Sequence, residues 1–198
     1  MKRREIFQFS LASAGTVILA STALDAQQGG GMMAPAAKNP TDVEPHVNDI
    51  EKHPKCNYCG MDRKRFHHSR MLVHYGDDTA EGVCSIRCAS TSLSLNLGRG
   101  TKAIWVGDNA SPDEIKPLTD AEKASFLIGS SLRGVMTRRS KVAYSTVEAA
   151  EASKAANGGE IGDFDKALLA AYTDIAESVA MSRKNREERL KRMQKKPE

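Results

Sequence analysis

Cys56-Asn57-Tyr58-Cys59-Gly60-Met61 places two thiols and a thioether within six positions, and a second thiol pair, Cys84 and Cys88, follows downstream. All four cysteines of the 198-residue chain fall within 33 positions of one another. Sulfur donors at this density suit soft ions such as Cu(I) or Zn(II) far better than Mg or Ca, which want oxygen. Cys-x-x-Cys brings two thiolates onto one turn, where a single ion bridges them. After 24 intervening residues comes Cys-x-x-x-Cys. This is near the spacing of zinc-ribbon and treble-clef sites, with a gap longer than the usual run of about 15–20.

Three other chemistries compete with copper for these residues. A structural zinc site takes all four thiolates in a closed tetrahedron and has no use for Met61. A disulfide framework suits an even cysteine count in an exported protein. It leaves unexplained the Gly-Met that follows Cys59 and the nearby His53, His67, His68 and His74. A redox-active dithiol draws on the lowered thiol pKa of Cys-x-x-Cys. Covalent haem is disfavoured because Gly60 stands where that motif needs histidine. Cu(I) accepts thiolate and thioether together, which makes Cys59 and Met61 the leading ligands and Cys56, Cys84 and Cys88 supporting thiols. At the start of a helix, Cys88 should also have its thiolate favoured by the helix dipole.

The elements that must position these groups are legible around them. Residues 69–75 alternate Met71, Val73 and Tyr75 with Arg70, Leu72 and His74, a strand pattern. Gly76-Asp77-Asp78 is turn chemistry, and 79–84 returns as the second strand of a hairpin. Ser85 is placed to cap a helix over 86–97 that Gly98 and Gly100 terminate. Residues 102–106 read as a short buried strand and 107–119 as a loop. Strands at 125–128 and 141–144 and a helix from Thr146 to the Gly158-Gly159 pair repeat the order strand, strand, helix. Asp163 can cap a last helix whose apolar stripe is Leu168, Tyr172, Ile175 and Val179. The fold class expected is α+β: two ββα units, about 46–107 and 120–165, the first treble-clef-like, followed by a C-terminal helix.

Residues 1–26 combine Lys2-Arg3-Arg4, a short apolar run and small residues near Ala26, the form of an export signal of twin-arginine type. Residues 27–45, rich in Gly, Ala and Pro, read as a flexible linker, and 46–181 as the metal-binding domain. The net charge of +4 is a property of the tail: 182–198 carries +5, and the remainder of the mature chain −2. A basic face for nucleic acid is therefore not expected, nor a stable membrane span after cleavage of the signal.

Taken together, the Cys56–Met61 segment, the hairpin ending in Cys84-Ser85, Ile128-Gly129-Ser130-Ser131-Leu132-Arg133-Gly134-Val135-Met136, and Gly158-Gly159 before Phe164-Asp165 resemble the NosL family. The resemblance spans most of the mature chain. It implies two ββα units and a non-catalytic periplasmic carrier that supplies Cu(I) for assembly of nitrous oxide reductase. Its Cys-x-Met motif falls on Cys59 and Met61, and its Gly-Pro-Met segment on Gly134-Val135-Met136, which makes Met136 a further candidate ligand. Valine stands in place of the expected proline, and the chain lacks the lipid-bearing cysteine common in the family. The pair Cys84 and Cys88 is similar instead to YHS/TRASH-type treble-clef domains. The expected cargo is Cu(I), with Zn(II) the alternative ion. The expected partner is a copper-receiving cuproenzyme or its assembly and transport machinery.

Overall fold

A computed structural model describes residues 40–194. The expected export signal (1–26), most of the expected linker (27–39) and the last four residues of the basic tail lie outside the described residues. The part of the linker that is described is docked. Thr41 forms a bridge with Thr79, the Asp42 amide donates to the Asp78 carbonyl at 2.7 Å, and Pro45 is fully buried.

After a single helical turn, α1 (Asp49–Lys52), the chain forms the expected hairpin of β1 (Met71–Tyr75) and β2 (Ala80–Val83), in the register Met71 to Val83 and His74 to Ala80. β1 is central in a four-stranded antiparallel sheet, with β2 on one side and β3 (Thr101–Gly107) on the other. The outer strand, β4 (Leu118–Asp120), begins inside the stretch read as a loop. Three residues give no periodicity to read, and their strand character comes from pairing with β3. The alternation along β1 predicts one exposed face, yet all five residues are buried. The second face is covered by the segment before α1, where His46 stacks on Trp105 at 5.0 Å between ring centroids.

From β2 the chain enters α2 (Ile86–Leu95), which ends two residues sooner than expected and continues as a 3-10 turn, Leu97–Arg99, before Gly100 at φ +63°. The second half builds a three-stranded antiparallel sheet in which β5 (Ser125–Ile128) lies between β6 (Lys141–Tyr144) and β7 (Glu160–Gly162). α3 (Val147–Asn157) follows β6 and ends at Gly158, at φ +67°. Phe126 and Ile128 face the main core, which runs through both sheets, and Leu127 faces a smaller cluster with Tyr144 and Ala150. Strand, strand, helix thus occurs twice, as the α+β reading requires.

α4 (Phe164–Gln194) is about 46 Å long at 1.5 Å per residue. Asp163 caps it, its carboxylate accepting the Lys166 amide at 2.9 Å. Its buried face is Phe164, Ala167, Ala171 and Asp174, a stripe next to the one predicted; Tyr172 and Val179 are exposed. Two causes set that rotation. Small alanines let α4 approach α2 closely, where the Tyr172 hydroxyl donates to the Ser90 carbonyl at 3.1 Å. Asp174 also has to reach inward, to Lys141 Nζ at 2.5 Å and Arg139 Nη2 at 2.5 Å. Every side chain of α4 from Met181 to Gln194 is exposed. No described helix is long and apolar enough to cross a membrane.

Candidate metal centre

Two turns bring the cysteines together. In the first, the Cys56 amide donates to the Met61 carbonyl at 2.8 Å and the Gly60 amide to the Cys56 carbonyl at 3.0 Å. Gly60, at φ +73°, supplies the left-handed residue that closes this knuckle, a conformation open to glycine without steric cost. In the second, β2 runs directly into Cys84, and Cys88 sits in the first turn of α2. The two are tied to each other at several points. The Asn57 amide donates to the Gly82 carbonyl at 3.0 Å, and the Ser69 hydroxyl to the Cys84 carbonyl at 2.8 Å. The Tyr58 hydroxyl, from between the two knuckle cysteines, donates to the buried Glu81 carboxylate at 2.6 Å, which also accepts from Ser92 of α2 at 2.7 Å.

The thiol sulfurs of Cys56, Cys59, Cys84 and Cys88 all lie within 4.8 Å of one another. Cys59 Sγ is 3.4 Å from Cys84 Sγ, which is 3.7 Å from Cys88 Sγ. An ion with bonds of about 2.3 Å to four sulfurs in a tetrahedron would hold them about 3.8 Å apart, so the cluster has the dimensions of one metal's coordination shell. All four are free thiols; Cys56, Cys84 and Cys88 are buried, and Cys59 is exposed. The site is a pocket of three sulfurs with a fourth at its rim.

Proximity sets the protonation of the cluster. Hydrogen bonds from the Cys84 and Cys88 thiols hold the Cys56 thiol far below its usual range. The same contacts with Cys56 push Cys84 up to about 12 and Cys88 higher still, with burial adding to both. Contacts among the three buried thiols thus favour the ionised form at Cys56 and the neutral form at Cys84 and Cys88. At Cys88 the contact with Cys56 and burial act against the thiolate that the helix terminus was expected to favour.

The other predicted ligands are placed as follows. Met61 is half-buried against the core cluster that contains Cys56, Cys84 and Cys88. Met136 lies between β5 and β6 at φ +60°, with 43% of its surface exposed. Among the described residues no histidine joins the four thiols. His53 gives its carbonyl to Arg63, His67 accepts the Lys116 amide through Nδ1 at 3.2 Å, and His74 Nε2 lies 3.4 Å from an Asp78 carboxylate oxygen. Sequence reasoning passed over Tyr58, Glu81 and Arg63. The tyrosine between two cysteines was a signal; Arg63, followed by Lys64-Arg65, looks like part of a solvated basic run.

The family model NosL matches residues 46–169. The crystal structure of the copper chaperone NosL from Shewanella denitrificans is 26% identical over 56% of this chain and 87% of its own, with a TM-score of 0.48. The solution structure of apo-NosL from Achromobacter cycloclastes is 17% identical over 48% of this chain and 82% of its own, with a TM-score of 0.34. No curated protein matches the chain.

Proposed function

The chain belongs to the NosL family, and on that premise we propose that it is a non-catalytic carrier that takes up Cu(I) at the four-thiol cluster and hands it on. The observation that carries this reading is the cluster itself, four sulfurs within 4.8 Å with Cys59 alone exposed. Three buried thiols retain a soft ion, and the exposed one is where an incoming ligand can displace a bond without unfolding the domain. Met61, two residues beyond Cys59 and half-buried against the same cluster, is the thioether candidate, and Met136 is a lesser one from the second half. With the export signal read in residues 1–26, the place of action is the periplasm. The recipient is a cuproenzyme such as nitrous oxide reductase, or the machinery that assembles it.

One observation favours a second reading. Four thiols at tetrahedral spacing also make a closed site for resident Zn(II), which binds with apparent free energies of about 10–16 kcal/mol in small zinc domains. Anaerobic Cu(I) titration of the metal-free and zinc-loaded protein against a competing chromophoric ligand separates the two. The carrier reading expects one equivalent of Cu(I) to displace zinc, and weaker binding in Cys59→Ser and Met61→Ala. One zinc per chain that survives Cu(I) competition would sink it in favour of zinc. Full affinity in Met61→Ala would remove the thioether from the ligand set.

A further inference from the structure

Beneath the cluster lies a cation with no exposed surface. The Arg63 side chain is completely buried, a costly place for a guanidinium unless every donor and the charge are matched. Nε donates to the Val83 carbonyl at 3.3 Å. Nη1 donates to the carbonyls of Asp49 at 2.9 Å and His53 at 2.6 Å. Nη2 donates to the Asp49 carboxylate at 2.8 Å and the Met71 carbonyl at 3.0 Å. A guanidinium has five N–H donors in a fixed planar fork, and all five are used.

The acceptors sit at the approaches to both thiol pairs. His53 is three residues before Cys56, and Val83 immediately precedes Cys84. The Arg63 amide also donates to the Pro54 carbonyl at 2.9 Å, which closes the strand of chain on which Cys56 begins. One planar group therefore fixes the spacing between the knuckle and the end of β2. The fit is close: a Cβ at Gly82 would fall 2.8 Å from Arg63 Nη1 and 2.4 Å from His53 Cβ. Charge points the same way. Asp49 also binds Arg70, with its two oxygens 2.9 Å from Nε and Nη2. Two guanidiniums on one carboxylate leave a buried excess of positive charge within electrostatic range of Cys56.

We propose that Arg63 is the positioning residue of the metal centre: it sets the distance between the Cys56/Cys59 and Cys84/Cys88 pairs and offsets the negative charge of the loaded thiolates. This rests on the reading of the cluster as a metal site. Arg63→Lys retains the charge but has three donors in place of a planar five, and Gly82→Ala keeps Arg63 while displacing it. Both are made in the full chain and compared with Asp174→Ala, which loosens the other half of the molecule. Folding is followed by the thermal transition of the metal-free protein. Cu(I) affinity is followed by anaerobic competition, and thiolate geometry by the absorption of Co(II) as probe.

The expected result is a folded Arg63→Lys with Cu(I) affinity down by about 10–100-fold and an altered Co(II)–thiolate spectrum. Gly82→Ala should move in the same direction, and Asp174→Ala should keep wild-type affinity and spectrum. Wild-type affinity and spectrum in Arg63→Lys would overturn the proposal, as would an equal loss in Asp174→Ala. Failure of both Arg63→Lys and Gly82→Ala to fold would make this group a determinant of the fold alone and would also overturn it. Cys59→Ser separates the two claims: unchanged Cu(I) binding there defeats the carrier reading, while the Co(II) spectra still report on Arg63.

Discussion

The two ββα halves can be laid against each other residue by residue where a strand turns into a helix. β2 is followed by Cys84, Ser85 and α2, with Cys88 as the third helical residue; β6 is followed by Ser145, Thr146 and α3, with Ala149 as the third. Where the first half has two thiols, the second has a hydroxyl and a methyl. The caps differ accordingly. Thr146 Oγ1 accepts the Ala149 amide at 3.3 Å, a conventional N-cap, whereas the Ser85 side chain makes no cap hydrogen bond. In the second half the junction is spent on helix stability and is anchored by the Ser145 amide, which donates to the Asp108 carboxylate at 2.8 Å. In the first it is given over to sulfur and held instead by Arg63 and the Tyr58–Glu81–Ser92 chain. One local architecture thus carries half of a four-thiol cluster or a plain structural corner, depending on which side chains occupy three positions.

The strongest way to break this comparison is to make the halves alike. Cys84→Ser, which copies Ser145, should cost on the order of 1000-fold in Cu(I) affinity, about 4 kcal/mol; the reverse-side change Ser145→Ala should leave affinity untouched. Competition titration reads both, and a mild effect at Cys84 would show that the cluster is not the ligand set. Next in size, Asp174→Ala strands the Lys141 ammonium and should lower unfolding stability by about 3 kcal/mol in denaturant melts without changing metal affinity. Coupled losses would mean that the halves are not independent in function.

Proton competition sharpens the contrast further. Cys84, pushed up to about 12, and Cys88, also raised, must release protons to a metal, whereas the Cys56 thiol is lowered. Raising the pH removes the competing protons, so affinity should climb by at least tenfold per pH unit from 6 to 8, about 1.4 kcal/mol per unit and per proton released. Titrations at three pH values measure the slope, and a flat profile would contradict the assigned protonation. The smallest effect is at the caps. Thr146→Ala should destabilise by about 1 kcal/mol and Ser85→Ala by much less, as thermal melts of the two variants will show.

Much of the first half was legible because its signals are local: cysteine spacing, a hairpin with Gly-Asp-Asp at its turn, and a serine before a helix. β4 and β7 were not, since three-residue strands owe their existence to a partner strand far along the chain. The face of α4 was misread by one residue because apolar content pointed to Leu168 and Tyr172, while the helix in fact seats its alanines and the carboxylate of Asp174. Arg63 is the most instructive case. Nothing in a Lys-Arg-rich stretch marks the one cation that turns inward, because its reason is a set of carbonyls contributed by Asp49, His53, Met71 and Val83. The membership of the cluster was legible, but the approach of all four sulfurs to within 4.8 Å and the burial of three of them required the fold.

Three of the four thiols are also core side chains: Cys56, Cys84 and Cys88 are 4%, 0% and 5% exposed and belong to the same apolar cluster as Met71, Val83 and Ala89. On the proposed function, selection on metal binding and selection on folding act on the same atoms. A lineage that ceased to need the metal would have no free drift at these positions, because a polar or bulky replacement would damage the interior as well. The route left open is toward small apolar residues, of the kind that Ala149 supplies at the matching place in the other half.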